Sequence, residues 1–324
     1  MEMMQQEFAI SIKYKYIIPI LKNNGKAFTN EGPPVGPPGS NILDDEELLW
    51  LEDSQWDESR ILSAQNRLQQ QGEKISDFWR DRYVKKANVY WHQFYNRNTD
   101  HFFKDRHYLH VVFPDLMRTN DFQDHIYEKY DGSNFQLRLL EVGCGVGNAA
   151  IPLLDINPSL FITCIDFAAS AIDILSNHIK EKNISRMTAH VCCIVNNPLP
   201  VPPCSMDLVL CMFVLSAIAP ECQLTAIKQL SGALKVGGKL LFRDYGRYDE
   251  AELRFRKGSK MDEHFYVRQD GTCSYFFDLD VLKEICSEAG LRMQEGRYIL
   301  RQYANRQQHK ARHRVWIHAV FVKQ

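Results

Sequence analysis

The sequence predicts an α/β fold: a seven-stranded, mostly parallel sheet that ends in an antiparallel hairpin. Three observations predict it. From about Leu137, apolar runs at 137–142, 160–166, 188–195, 207–213 and 238–244 alternate with amphipathic stretches, the pattern of parallel strands joined by crossover helices. The first of these runs leads straight into a glycine-rich turn, LLEVGCGVGN over Leu139–Asn148. Two further apolar runs, 296–303 and 314–323, follow a helical stretch at 279–290 with only a polar loop between them, so they are expected to pair with each other.

Ahead of the sheet the chain changes character twice. Residues 31–40, EGPPVGPPGS, hold four prolines and three glycines. Proline removes a backbone donor and fixes φ, so this stretch supports neither a helix nor a central strand. Residues 1–40 are therefore expected to be a poorly ordered extension and linker. Residues 41–75 read as an acidic, then Gln-rich, exposed helical segment, and 76–324 as the folded catalytic domain. Ser76–Asn96 reads as one amphipathic helix, because Trp79, Tyr83, Ala87, Tyr90, Trp91, Phe94 and Tyr95 recur at steps of three and four. Helical patterns at Ala168–Lys182 and Pro220–Leu234 fill gaps between the strands.

Composition narrows the function. Thirty-nine Lys and Arg stand against 40 Asp and Glu in 324 residues, a net charge of −1, so polyanion binding has to come from local basic clusters. No apolar run approaches the ~20 residues that a membrane span needs. The nine cysteines include no C-x-x-C pair and no zinc-ligand spacing, so no metal is expected. Cys164, Cys192, Cys193 and Cys211 lie in apolar strand-like runs, as buried free thiols do. That usage fits a reducing compartment, the cytoplasm or also the nucleus. Glu2, Glu7 and the lack of an arginine before Arg60 argue against a mitochondrial presequence.

The glycine turn is the strongest chemical signal. Gly143, Gly145 and Gly147 permit a tight turn and let backbone N–H groups approach a ligand. Asp166, 25 residues beyond Glu141, ends the second strand and is placed to accept from both hydroxyls of a ribose. Gly145–Ala150 also fits the G-x-G-x-x-A of dinucleotide sites, so NAD competes with S-adenosylmethionine (SAM). Glu141 favours SAM: it would oppose a pyrophosphate, whereas it attracts the methionyl ammonium.

Three further stretches carry a resemblance: WHQFYNRNTDHFFKDRHYL (91–109), the glycine turn, and FRDYGRYDEAELRF…HFYVRQDGTCSYFF (242–277). Over about 76–324 the chain resembles the tRNA 3-methylcytidine methyltransferases, a methyltransferase-like group with a class I, Rossmann-like, SAM-dependent core. The resemblance implies SAM as cofactor and tRNA as substrate, with cytidine in the anticodon loop, position 32, as the target. In some relatives an aminoacyl-tRNA synthetase is required as partner. It further implies that Trp91 and Tyr95 close over SAM, that Gly143 and Gly145 meet its methionyl end, that Asp166 holds the ribose, and that Cys193 and Met212 lie by the adenine. Two positions depart from the family. Cys193 stands where the family has an Asp for the adenine amine, a loss of about 1 kcal/mol. Cys273 ends Asp270-Gly271-Thr272-Cys273 where the family has DGTR, and an RNA phosphate contact would go with that arginine.

Neutral cytosine attacks through an in-plane N3 lone pair, so bond formation needs no general base. The product base is cationic, and a carboxylate beside it would stabilise the developing charge. Asp244, at the end of the fifth strand, is the candidate catalytic residue; the alternative is a structural Asp paired to Arg243. RNA contacts call for cations and rings together. Residues 243–268 hold seven Lys/Arg and five Phe/Tyr, and 297–324 hold seven Lys/Arg and no acid. Lys104, Arg106, Arg243, Tyr245, Arg268, Arg306, Lys310, Arg312 and Arg314 are the candidate RNA-contacting residues. A catalytically weak tRNA-binding subunit, and a methyltransferase for protein or small molecules, remain as alternatives.

Overall fold

The computed structural model describes residues 58–98, 104–117, 136–305 and 310–324, without the side chains of 301–312. The 1–40 extension, the acidic start of the 41–75 segment and Arg306 lie outside the described residues, as do the side chains of Lys310 and Arg312.

Helices α1 (Glu58–Gln69), α2 (Asp77–Lys85), α3 (Ala87–Asn98) and the single turn α4 (Leu109–Val112) precede the sheet. Then come β1 (Leu137–Val142), α5 (Ala150–Ile156), β2 (Leu160–Asp166), α6 (Ala169–Glu181), β3 (Met187–Val191), β4 (Met206–Met212), α7 (Pro220–Ala233) and β5 (Leu234–Tyr245). The C-terminal part adds α8 (Glu250–Leu253), β6 (Lys260–Asp262), β7 (Phe265–Val267), β8 (Cys273–Tyr275), α9 (Leu279–Glu288), β9 (Leu291–Asn305) and β10 (Lys310–Lys323). The main sheet has seven strands in the order β3-β2-β1-β4-β5-β10-β9, parallel through β5 and antiparallel at β10 and β9. The predicted α/β class, the strand count and the terminal hairpin are all observed.

The central strands are apolar on both faces because helices cover both. In β4, Leu208 and Leu210 pack on one side with Leu139, Leu153 and Leu175, while Val209 and Cys211 pack on the other with Ile227, Leu230 and Phe242. Alternation of side chains along a strand splits one sequence run between two cores. The cysteines in these runs are buried as expected, except Cys193, which is half-buried, and all nine are free thiols.

Four differences from the sequence reading bear on the site. Strand β3 stops at Val191, so Cys192-Cys193-Ile194 leave the sheet; the Cys192 N–H donates to Asp166 O and the Cys193 N–H to Asn197 Oδ1. The single helix expected over 76–96 is two, divided at Lys86. Its apolar residues have different partners: Tyr83 and Val84 pack against Met261, Phe265 and Cys273, whereas Phe94 and Tyr95 pack against Val146, Ala168 and Ala171. Trp79 is left 46% exposed instead of sharing their face. Helix α1 is docked, not free: Arg67 forms an ion pair with Glu250, Gln71 donates to Glu252 O at 2.6 Å, Arg60 bonds His313, and Ala64 is buried. Finally, β6, β7 and β8 form a separate antiparallel sheet, whose three-residue strands are too short to show a period.

Candidate active site

The parallel strands β1, β2 and β4 all end at one cavity of about 650 Å³. It lies where the strand order reverses, between β1 and β4, the place where open α/β sheets bind ligands. The cavity wall includes Trp91, Tyr95, Gly143, Gly145, Asp166, Cys193 and Met212, so every residue predicted for the cofactor is brought to one place.

The turn after β1 needs its glycines. Gly143 has φ +61° and Gly145 φ +54°, which L side chains rarely adopt. A Cβ on Gly143 would stand 2.3 Å from Val214 Cγ2, and one on Gly145 would stand 2.6 Å from the Tyr95 hydroxyl. Helix α3 lays Trp91 and Tyr95 over this turn with ring centroids 6.1 Å apart and planes inclined at 31°.

Two acids face the cavity. Asp166 accepts the Gly145 N–H at 3.0 Å and the Ala168 N–H at 2.9 Å, and so ties the turn to the end of β2. Burial pushes its carboxyl up to about 6 against these hydrogen bonds. Glu141 is 6% exposed, and its Oε2 has no hydrogen-bond partner among the described residues. Burial raises it to about 8, opposed by the nearby Arg106 guanidinium. A buried carboxylate on a cavity wall is costly unless a cation or donor meets it.

Beyond the glycine turn, the ends of β4, β5 and β10 assemble rings and cations. Phe213 lies 5.0 Å from Tyr245 and 5.9 Å from Trp316, centroid to centroid. The Arg106 guanidinium lies over Phe213 at 5.2 Å, Arg268 over Tyr245 at 5.6 Å, and Arg314 over Tyr245 at 5.7 Å and Trp316 at 5.6 Å. The structure thus joins Arg106, Tyr245, Arg268 and Arg314, and Arg106 also lines the cavity. Lys104 is exposed two residues from Arg106. Sequence reasoning missed Phe213 and Trp316. A signal existed for Phe213, which directly follows a strand end in the run CMFVLSA.

Other expectations need correction. Arg243 is 1% exposed, lies over Tyr108 and Phe113, and contacts His318 Nδ1 at 3.4 Å, so it faces the core instead of RNA. Asp244 is fully buried; its oxygens accept the Ser216 N–H at 2.9 Å and the Tyr245 N–H at 2.8 Å. It therefore touches neither Arg243, its neighbour on the opposite face of β5, nor the cavity. Burial raises it to about 6 against those bonds. Arg314 was expected to lack an acid, yet it pairs with the buried Asp249 at 2.8 Å. Cys273 is 2% exposed on the cavity wall, beside Met261, so position 273 faces inward and not toward an RNA backbone.

Comparison with known proteins agrees with this geometry. The family model described as a methyltransferase domain matches residues 140–240. In fold alone, the chain is similar to a 1,6-didemethyltoxoflavin-N1-methyltransferase of Burkholderia thailandensis, solved with S-adenosylhomocysteine (TM-score 0.52, 11% identity, 78% of this chain and 93% of that one). Two relatives are similar over most of their length. The Danio rerio tRNA N(3)-cytidine methyltransferase METTL2 is 35% identical over 83% of each chain. The Homo sapiens tRNA N(3)-cytidine methyltransferase METTL6 is 36% identical over 82% of this chain and 91% of its own. With the glycine turn, Asp166 and the Trp91–Tyr95 pair converging on one cavity, this extent of similarity establishes that the chain belongs to the tRNA N(3)-cytidine methyltransferase family.

Proposed function

We propose that the chain transfers the methyl group of SAM to N3 of a cytidine in a tRNA anticodon loop, at position 32, forming 3-methylcytidine. The observation that carries this reading is the one cavity whose wall brings Glu141, Asp166 and the Trp91–Tyr95 pair together. The residues fit SAM. Its ammonium answers the buried Glu141 carboxylate, its ribose hydroxyls answer Asp166, and the close approach of Val214 to Gly143 and of Tyr95 to Gly145 leaves the bare-backbone cradle that a methionyl chain requires. Cys193 and Met212 line the cavity on the adenine side, Cys193 without the acid of other family members. SAM supplies a methyl group on a sulfonium, which makes it a strong electrophile.

The protein's own part is placement and electrostatics. Trp91 and Tyr95 cover the reacting centre with rings that attract cationic sulfur and exclude water. Arg106, Arg268 and Lys104 supply positive charge at the mouth for RNA phosphates. Asp244 acts through the turn it holds between β4 and α7. The test is nucleoside mass spectrometry of tRNA incubated with purified protein and SAM, with and without an added aminoacyl-tRNA synthetase. Appearance of 3-methylcytidine, lost in Asp166→Ala, supports the reading; methylation of other nucleosides alone, or of none under either condition, refutes it.

A further inference from the structure

Charge is unevenly spread over the cavity wall. Among the described residues its carboxylates are Glu141, in β1, and Asp166, at the end of β2. Asp166 stands between two exits from the sheet. On its β1 side is the glycine turn, whose Gly145 N–H it accepts. On its β3 side is the turn 192–197, where the Cys192 N–H donates to Asp166 O at 2.9 Å. With the ammonium of SAM at Glu141 and its ribose at Asp166, the methionyl chain takes the first side and the purine runs along the second. That second side is poor in acceptors. Its wall is Cys193, Val195, Asn196 and Asn197, together with Ile218 and Cys222 at the start of α7. The polar groups of the turn bond to one another. The Cys193 N–H donates to Asn197 Oδ1 at 3.0 Å, and the Cys193 carbonyl accepts the Asn197 N–H at 2.9 Å and the Asn196 N–H at 3.2 Å. The Cys192 thiol donates to Pro198 O at 3.6 Å. The Asn196 side chain is exposed, so water competes for its amide. Cys193 and Cys222 are half-buried, and a thiol is a weak acceptor.

We propose that Cys193 sets the cofactor specificity of this chain by leaving the 6-position of the purine unread: the site takes S-nucleosyl cofactors whose purine lacks the 6-amino group as well as it takes the adenosyl form. This inference rests on the SAM-binding reading. A carboxylate at position 193 would discriminate between the two. It accepts from the amine of one ligand and is left buried without a donor by the other, and that asymmetry is how a polar site rejects an analogue. A thiol gains little from the amine and loses little without it. The carboxylates that the cavity does hold are committed elsewhere, Glu141 to the ammonium and Asp166 to the ribose, and neither part of the cofactor changes when the purine does.

The test is titration calorimetry of the full chain with S-adenosylhomocysteine and with its 6-deamino analogue, which carries purine riboside in place of adenosine. The wild-type protein is expected to bind the two within about threefold of each other. Cys193→Asp is expected to prefer the adenosyl ligand by on the order of 10-fold, through a gain for that ligand and a loss for the analogue. Cys193→Ala is expected to keep the ratio near that of the wild type. A wild-type preference of about 10-fold or more for the adenosyl ligand overturns the proposal. So does a Cys193→Asp protein that melts as the wild type does and binds S-adenosylhomocysteine without gaining a preference, because position 193 then lies away from the 6-edge. If Cys193→Asp does not fold, the wild-type and Cys193→Ala ratios decide: a preference in the wild type that Cys193→Ala removes shows the thiol reading the amine, against the proposal. If the wild type binds neither ligand, the SAM-binding reading itself falls, and this proposal with it.

Discussion

The Asp244 carboxylate accepts the backbone N–H of Ser216 at 2.9 Å, which fastens the end of β5 to the turn that follows β4. The adjoining Tyr245 N–H takes the other oxygen. A carboxylate suits this place because the Ser216 N–H and hydroxyl and the Tyr245 N–H that face it are all donors. Asp244→Asn puts an amide NH₂ toward one of them and leaves a buried N–H without an acceptor, a cost of about 1–3 kcal/mol. The variant is expected to melt earlier and to lose single-turnover methylation rate, with SAM affinity changed less than the rate. Calorimetry and a single-turnover assay check this; wild-type melting with a reduced rate would instead place the carboxylate at the substrate.

Asp166 both ties the glycine turn and faces the cavity. Asp166→Ala frees the Gly145 and Ala168 N–H groups and removes the proposed ribose acceptor. SAM affinity is expected to fall by about 10-fold or more, as befits charged hydrogen bonds of roughly 1.5–3 kcal/mol. Isothermal calorimetry measures it, and unchanged affinity would remove the ribose role.

Glu141 gives the site a pH dependence. Burial holds its carboxyl protonated up to about 8, while an ammonium beside it favours the ionised form. SAM binding between pH 6 and 7 is therefore expected to release a proton and to tighten as pH rises. Calorimetry in buffers of different ionisation enthalpy detects the release, and Glu141→Gln is expected to abolish it. Without ligand the sign is opposite for folding. The native state retains a proton that the unfolded chain gives up near the ordinary carboxylate value, so stability from this group declines as pH rises from about 4.5 toward 8.

Arg314 and Arg268 are expected to part company although both lie over Tyr245. Arg314→Ser strips the buried Asp249 of its cation and should destabilise the protein by roughly 3–5 kcal/mol. Arg268 donates to Thr272 Oγ1, Cys273 O and Ser274 Oγ, all neutral. Arg268→Ser is expected to keep most of the melting temperature while weakening tRNA binding and making its salt dependence shallower, by a slope of about 0.7–0.9 for one phosphate contact. Thermal melts and filter binding at two salt concentrations separate the two outcomes.

Much of this protein was determined by local sequence. The apolar runs, the glycine turn and the acid 25 residues beyond Glu141 are contiguous or regularly spaced, and parallel strands separated by helices have few ways to assemble. That is why the sheet, its hairpin and the grouping of Trp91, Tyr95, Asp166 and Met212 on one cavity wall were legible. Tertiary structure alone decided which cation or carboxylate stays accessible. Arg243 and Asp244 are neighbours in a run that reads as a polar site, but strand alternation sends one into the Tyr108–Phe113 layer and the other to Ser216. Arg314 acquired its acid from Asp249, 65 residues away. Phe213 reads as one more apolar residue at a strand end. Only tertiary contacts set it on the cavity wall: Arg243 O accepts its N–H, Val214 beside it packs on Gly143, and Asp244 holds the Ser216 N–H.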